Sequence, residues 1–408
     1  MRDKLINSTI FLWTMPGSSE PSLRAILDHS GAAAPSLYHH FESIYHLYRS
    51  AHDVAAGRAE RWFAARGAEL DRAPALSPEA FPALLATLID RWCEECRSLA
   101  LARFDCLLAA LRSGEATPVS LRWDTLWRGF WQAMAERCGL SSAADATAAL
   151  ATGLTLSHLL RTNATIDRCS LHELSHSWLD WNMGRTGTCS DWQALGLASA
   201  DYVDAPPELP RGKALLIANA AADLLAEQGA GHLTHRAIAA RAGVSTGAVA
   251  HYFRAADDLM RAAFAVIFWR AAPARDDEAD PAPLSAEAAR QALAGLGAPG
   301  SQLQTPFIGW IELHLAMARD PALSALAARV RYRGGHMIRR YIDPLLPDGR
   351  QSALTDRATL ATWIIGAQIQ SAVLGNAPPK RPSVNWLLDR LSQLGGDTDD
   401  GKPALRTH

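Results

Sequence analysis

A gapless internal repeat constrains this chain more than any other feature of its sequence. Moving the chain by 212 residues lays Ser22–Leu47 on Thr234–Leu259, and seven of those 26 positions are identical: Arg24/Arg236, Ala25/Ala237, Ile26/Ile238, Gly31/Gly243, His39/His251, Phe41/Phe253 and Leu47/Leu259. Upstream, Gly17 falls on Gly229 and Leu12 on Leu224. A repeat of this kind implies that one supersecondary unit is built twice, in diverged copies.

The remaining pattern is helical. Apolar residues recur at three- and four-residue steps, as in Leu84, Leu85, Leu88, Ile89 and Trp92, and again in Leu360, Trp363, Ile364, Ala367 and Val373. Strand-like alternation between hairpin turns is missing, so the expected fold class is all-α. With 49% hydrophobic and 20% charged residues over 408 positions, the chain reads as globular, with room for two to three domains. Its opening residues carry no secretory signal and no run is long enough for a membrane span, so a cytoplasmic protein is expected. The formal net charge of −2 excludes a globally basic nucleic-acid binder, so any such role needs locally concentrated charge.

The second copy is the cleaner one. Residues 213–228 form an amphipathic helix ending at Gly229. Thr234 is a good cap for a short helix through Arg241, Gly243 suits a tight turn at positive φ, and Ser245 caps the next helix. Ile238, Val244 and Val249 are spaced to pack these two helices together. That is a helix-turn-helix pattern, in which the second helix enters a DNA major groove and its first residues meet base edges. Here those residues are Ser245, Thr246, Gly247 and Ala248, small enough for close approach, followed by His251 and Tyr252.

The run Ala237-Ile-Ala-Ala-Arg-Ala-Gly-Val-Ser245, the His251-Tyr-Phe253 close and Asp258-Leu259 at the start of a long helix resemble the TetR family of bacterial regulators. The likeness is specific over about 50 residues in this copy and weaker in the first, where Leu23-Arg-Ala-Ile-Leu-Asp-His-Ser-Gly31 and Leu37-Tyr-His-His-Phe41 carry it. The resemblance implies two family-sized units. The expected domains are a first helix-turn-helix domain over 1–50, a first ligand and dimerisation bundle over 51–184, a linker over 185–209, a second helix-turn-helix domain over 210–262, a second bundle over 263–396 and a tail over 397–408. It further implies operator DNA and a small-molecule effector as partners, DNA release on ligand binding, repression as the usual mode, and no cofactor. The contacts it carries over are Thr246, Gly247, His251 and Tyr252, and in the first copy Pro35, Ser36, Tyr38, His39 and His40. Thr234, Arg236, Ser245 and Ala248, with Ser22 and Arg24 in the first copy, complete the candidate DNA-binding set.

The copies differ. The family commonly places a phosphate-binding lysine three residues after the Phe; here Ile44 and Ala256 stand there. The first copy has Ala33 in place of the Ser245 cap. Residues 1–50 carry four basic and four acidic side chains, whereas residues 210–262 carry six basic and four acidic. Because phosphate neutralisation supplies much of DNA affinity, the second unit is expected to bind more strongly.

A family dimer pairs the last two helices of each subunit. The matching candidates are Ala146–Asn163 with Leu171–Met183, and Thr355–Leu374 with Ser383–Leu394, with Gly153 and Gly366 inside similar apolar runs. Fusion lets these dock within one molecule, giving a pseudo-dimer whose recognition helices are free to diverge, with further homodimerisation left open. Tryptophan is abundant, at 13 residues. Trp92, Trp123, Trp127 and Trp131 recur at helical spacing, either as an aromatic core stripe or as the wall of an apolar ligand pocket. Trp310, Met317 and Trp363 are the candidates in the second bundle.

Three other features have rival readings. His172-Glu173-Leu174-Ser175-His176 matches H-E-x-x-H, which on a helix aligns two histidines for zinc beside a glutamate base. No third ligand follows it in the manner of a zinc peptidase, although His158 is a candidate neighbour, so the alternative is a helix with polar ends. Cys93 and Cys96 form a C-x-x-C pair without a second pair, read as two buried helical thiols, a redox sensor or half a metal site. Loss of DNA binding, leaving a helical interaction protein, is the third alternative; no phosphate-cradling loop or nucleophile elbow argues for an enzyme.

Overall fold

A computed structural model describes residues 1–16, 20–72, 76–185, 190–203, 207–271, 284–295, 304–335, 338–346 and 351–374. Among these residues the protein is helical and holds no strand. Residues 273–283 of the expected second bundle, the helix expected at Ser383–Leu394 and the expected tail over 397–408 lie outside them. The N-terminal half contributes α1 (Arg2–Leu12), α2 (Leu23–Ser30), α3 (Ala34–His40), α4 (Ile44–Leu70), α5 (Phe81–Glu95), α6 (Arg97–Ser113), α7 (Pro118–Arg137), α8 (Ala144–His158) and α9 (Ala164–Asn182). Next comes α10 (Asp191–Val203). The C-terminal half contributes α11 (Lys213–Gln228), α12 (His235–Ala242), α13 (Thr246–Tyr252), α14 (Ala256–Ala271), α15 (Ala286–Gly295), α16 (Gln304–Arg319), α17 (Ser324–Arg333), α18 (Arg339–Ile342) and α19 (Leu354–Leu374).

The repeated residues occupy equivalent places. Ile26 and Ile238, Leu37 and Val249, Phe41 and Phe253, and Leu47 and Leu259 are all buried, so each copy closes its own small core. Gly31 (φ 65°) and Gly243 (φ 67°) end α2 and α12 in the left-handed region, which glycine enters without a Cβ penalty. In both copies the fourth helix continues the chain without a break; α4 runs through residue 50, so DNA-binding unit and bundle share one helix.

The segment expected to be a linker holds α10, packed on α9 and α17. Its N-terminus is capped from a distance: the Trp192 and Gln193 amides donate to the Glu173 carboxylate at 2.8 and 2.9 Å. A Cβ on Gly196 would stand 2.3 Å from the Tyr332 ring, so this turn of α10 touches α17 at its backbone.

The halves join along a seam between α8 and α19. A Cβ added to Gly153 would meet the Thr362 carbonyl oxygen at 1.9 Å, and one added to Gly366 would meet that of Ala149 at 1.8 Å. Only glycine permits this backbone-to-backbone approach. Polar contacts fix the register. Trp363 Nε1 donates to the Ala146 carbonyl at 3.1 Å, and Asp356 accepts from Ser177 Oγ (2.8 Å) and Trp181 Nε1 (3.0 Å). Arg331 of α17 donates to the Ser157 and Leu160 carbonyls at the end of α8 (2.7 and 3.1 Å) and to the Asp167 carbonyl in the first turn of α9 (2.9 Å).

Two reciprocal ion pairs cross the same boundary nearer the DNA-binding units. On α6, Asp105 and Arg112 stand seven residues apart, as do Glu312 and Arg319 on α16. Arg112 pairs with Glu312 and donates to the carbonyls of Leu225 (3.3 Å) and Ala226 (3.2 Å) near the end of α11. Arg319 pairs with Asp105 at 2.5 Å and donates to the Trp13 carbonyl at 2.8 Å, at the end of α1. Each bundle helix therefore braces the first helix of the other half, α11 or α1.

Candidate functional site

The helices in the positions expected for DNA recognition are α3 and α13, of seven residues each. In the second unit, Thr234 Oγ1 accepts from the Ala237 amide (3.2 Å) and Ser245 Oγ from the Ala248 amide (3.1 Å), satisfying one free donor at each helix start. In the first unit Ser22 Oγ caps α2 at 3.2 Å, whereas Ala33 gives α3 no side-chain cap. Val249 and Leu37 anchor the inner faces, which turns the candidate contacts outward. Thr246, Gly247, His251 and Tyr252 are exposed, as are Pro35, Tyr38 and His39, while Ala248, Ser36 and His40 are partly so. Tyr252 is 43% and Tyr38 60% exposed, large rings that packing has not claimed. Tyr45, 62% exposed on the first turn of α4, belongs beside them; it was not singled out because it follows the Ile44 that breaks the expected lysine pattern.

The units also differ in charge pairing. Arg24 faces Asp28 one turn on, at 3.6 Å. Its counterpart Arg236 has Ala240 in that place. Arg241 is held by Glu227 at 2.5 Å and Arg261 by Asp258 at 2.8 Å, so the second unit's excess of positive charge rests on Arg236, Arg254, Arg211 and Lys213.

The tryptophans expected to line a ligand site separate into different places. Trp92, Trp127 and Trp131 are fully buried and join Phe63 and Phe130 in one aromatic cluster of the first bundle; Trp123 is buried one turn before Trp127. Ring contacts of 5.0 Å (Phe63–Trp92), 6.0 Å (Trp92–Trp127) and 5.7 Å (Trp127–Trp131) define it. Trp127 Nε1 donates to the Ala148 carbonyl at 3.2 Å, but Trp92, Trp123 and Trp131 have no acceptor for theirs among the described residues. Sequence reasoning missed Arg103 of α6, whose guanidinium carbon lies 4.1 Å from the Trp127 ring centroid. The signal was one arginine inside the apolar run Leu99–Leu111. In the second half, Trp310 and Met317 belong to α16, with His314 Nδ1–H donating to the Trp310 carbonyl at 2.8 Å. Trp363 lies apart from both, in the seam.

The H-E-x-x-H segment has other work. Glu173 is the α10 cap described above, turned toward backbone amides and away from a base's role. His158 spends both ring nitrogens: Nε2–H donates to Asp90 at 2.9 Å and Nδ1 accepts from Arg331 at 3.1 Å. Among the described residues no three His, Cys, Asp or Glu side chains are grouped to hold a metal. Burial pushes the Cys93 and Cys96 thiols up to about 12, which suppresses thiolate chemistry at neutral pH. Among the described residues no helix is long and apolar enough to cross a membrane.

Comparison with known proteins adds two findings. Residues 217–263, from α11 into α14, match the profile of the bacterial regulatory proteins of the tetR family. Residues 76–179, the first bundle through most of α9, match that of the tetracyclin repressor-like C-terminal domain. The C-terminal-domain match thus precedes the DNA-binding match along the chain, the reverse of their order in a single unit. No curated protein matches the sequence. Two separate segments, one in the second helix-turn-helix unit and the other in the first bundle, are thus each similar to a TetR family model.

Proposed function

We propose that the protein is a transcriptional repressor carrying two reading heads on one polypeptide, released from its operator by a small, mostly apolar effector. The observation that carries this reading is that residues repeated in sequence are repeated in space: Ile26/Ile238, Leu37/Val249 and Phe41/Phe253 close equivalent cores beneath α3 and α13. The reversed order of the two family matches fits a pair of units in tandem. The glycine-to-glycine seam and the reciprocal braces supply the contacts that separate subunits would otherwise make. A tether then replaces bimolecular assembly with a high local concentration, and a fused pair is free to read a non-palindromic operator.

In the second unit Thr246, Gly247, His251 and Tyr252 face base edges and Arg236 faces phosphate; in the first, Pro35, Ser36, Tyr38, His39 and His40 hold the corresponding positions. The capped α13 and the unopposed Arg236 make the second head the stronger one. Mobility shift on the DNA flanking the gene, over a salt series and with light scattering, tests this. A sequence-specific, salt-sensitive complex of one chain mass is expected. Tyr252→Ala and His251→Ala each weaken it by about tenfold or more, and Tyr38→Ala by less. Equal losses refute the asymmetry, and no specific complex at low salt refutes the regulator.

A further inference from the structure

A group of buried hydrogen-bond donors in the first bundle stands without acceptors among the described residues. Arg103 is 1% exposed and donates once, from Nη2 to Thr152 Oγ1 at 3.1 Å. Its Nε and Nη1 have no partner among the described residues, nor do the indole nitrogens of Trp92, Trp123 and Trp131. The Trp92 and Trp131 rings both contact Trp127, whose ring lies beside the Arg103 guanidinium, and Trp123 is one turn away on α7. Asp124, whose charge acts on Arg103 from a distance, lies 3.5 Å from Arg128, and Asp105 is taken by Arg319. Neither carboxylate reaches Nε or Nη1 of Arg103. Burial lowers Arg103 only to about 9, so it stays a cation at neutral pH. A buried, under-bonded guanidinium costs several kcal/mol, more than a core needs to accept when a leucine or methionine would pack there.

The geometry points to an effector that carries a carboxylate or similar compact oxyanion on an apolar, aromatic-sized body, bound between α6, α7 and α8 with its anion on Nε and Nη1 of Arg103 and its body against Trp92, Trp127 and Trp131. This rests on the effector-controlled reading given above and adds its chemistry. It also adds a stoichiometry. α16 holds the place of α6 in the second half, and the brace residues align Asp105 with Glu312 and Arg112 with Arg319. The same alignment puts Trp310 in the place of Arg103. The equivalent position in the second half lacks the cation, so one anion binds per chain instead of two.

The test is calorimetric titration of the full chain with three carboxylates (benzoate, indole-3-acetate and decanoate) and with their uncharged amides, read alongside tryptophan fluorescence. At least one carboxylate should bind at one per chain, at least tenfold tighter than its amide, and quench the cluster. Arg103→Met should abolish that preference while melting at or above the native temperature, because it removes an unpaired buried charge. If the methionine variant does not fold, Arg103→Lys keeps the charge, loses the fork and should retain binding with the preference reduced severalfold. Amides binding as well as acids, no acid binding, two sites per chain, or a preference unchanged in the folded variant would each overturn the inference. DNA mobility shift without ligand keeps the two claims apart. A chain that binds DNA but not carboxylates sinks this inference alone, whereas one that binds carboxylates but no DNA sinks the regulator reading.

Discussion

Replacing Arg319 by methionine removes one arm of a brace with little change in packing volume. In the native chain its guanidinium lies 2.5 Å from Asp105, and both side chains are almost wholly buried. Removing one partner of such a pair costs about 3–5 kcal/mol. The Trp13 carbonyl, left without its donor, accounts for part of this. The electrostatic part depends on pH. Burial already pushes the Asp105 carboxyl up to about 6, against the pull of Arg319, and without the guanidinium it rises further. A carboxyl raised above its unfolded value favours the folded state at low pH and loses that contribution as pH climbs through the folded value. Below pH 6 native and variant lose alike; above it only the variant continues to lose, by about 1.4 kcal/mol per unit of extra shift. The deficit of Arg319→Met should therefore be smallest at pH 5.5 and grow toward pH 8. Urea unfolding followed by tryptophan fluorescence at several pH values measures it, with Asp105→Asn and the double variant closing a cycle. The double variant should lie closer to native than Arg319→Met and show no such growth. A deficit under about 1 kcal/mol at pH 8, or one flat with pH, refutes the claim that a desolvated charge pair holds this boundary.

Other outcomes follow from the same coordinates. Gly366→Ala puts a Cβ 1.8 Å from a backbone oxygen and must part α8 from α19 by more than about 1 Å, so thermal melting should fall by several degrees, while Gly57→Ala, whose Cβ meets only the Arg122 side chain at 3.5 Å, should not shift it. Burial pushes His52, His314 and His158 each down to about 4; the unfolded chain then takes up protons first, so stability present above pH 6.5 is lost as pH falls toward 4. His52→Phe should flatten that loss in melts at pH 7.5 and 5, by about 2 kcal/mol. Glu173→Ala should cost about 2–3 kcal/mol by uncapping α10 and leave bound-metal content unchanged; loss of a stoichiometric zinc in the variant would reinstate the metal reading.

Local chemistry was legible in the sequence, and long-range chemistry was not. Thr234, Ser245, Gly229 and Gly243 announce helix ends because capping and positive φ are properties of a residue and its neighbours within four positions. The apolar runs around Gly153 and Gly366 were visible as candidates, but their mutual contact is a fact about backbones 213 residues apart. The helix α10 was not legible in the 185–209 linker because its cap is Glu173, nineteen positions upstream of Trp192. Trp363 looked like pocket lining from its periodicity, which marks a buried face without saying what covers it; α8 covers it. Arg103, Asp105 and Arg319 sit in apolar runs where charge reads as noise until the opposing helix is known.

The braces have a consequence for how such a chain can change over evolutionary time. Each pair draws its acid from one half and its base from the other, and each base also holds the end of a helix in the half that is not its own. A foreign half lacking Glu312 or Asp105 at the matching place would bury a guanidinium opposite nothing, at a cost of several kcal/mol per brace. Once the halves share one reading frame, their recognition helices can drift independently, but these four side chains must be inherited as a set. The peptide connection guarantees that the halves are made in equal number; the crossed charges guarantee that each accepts no substitute for the other.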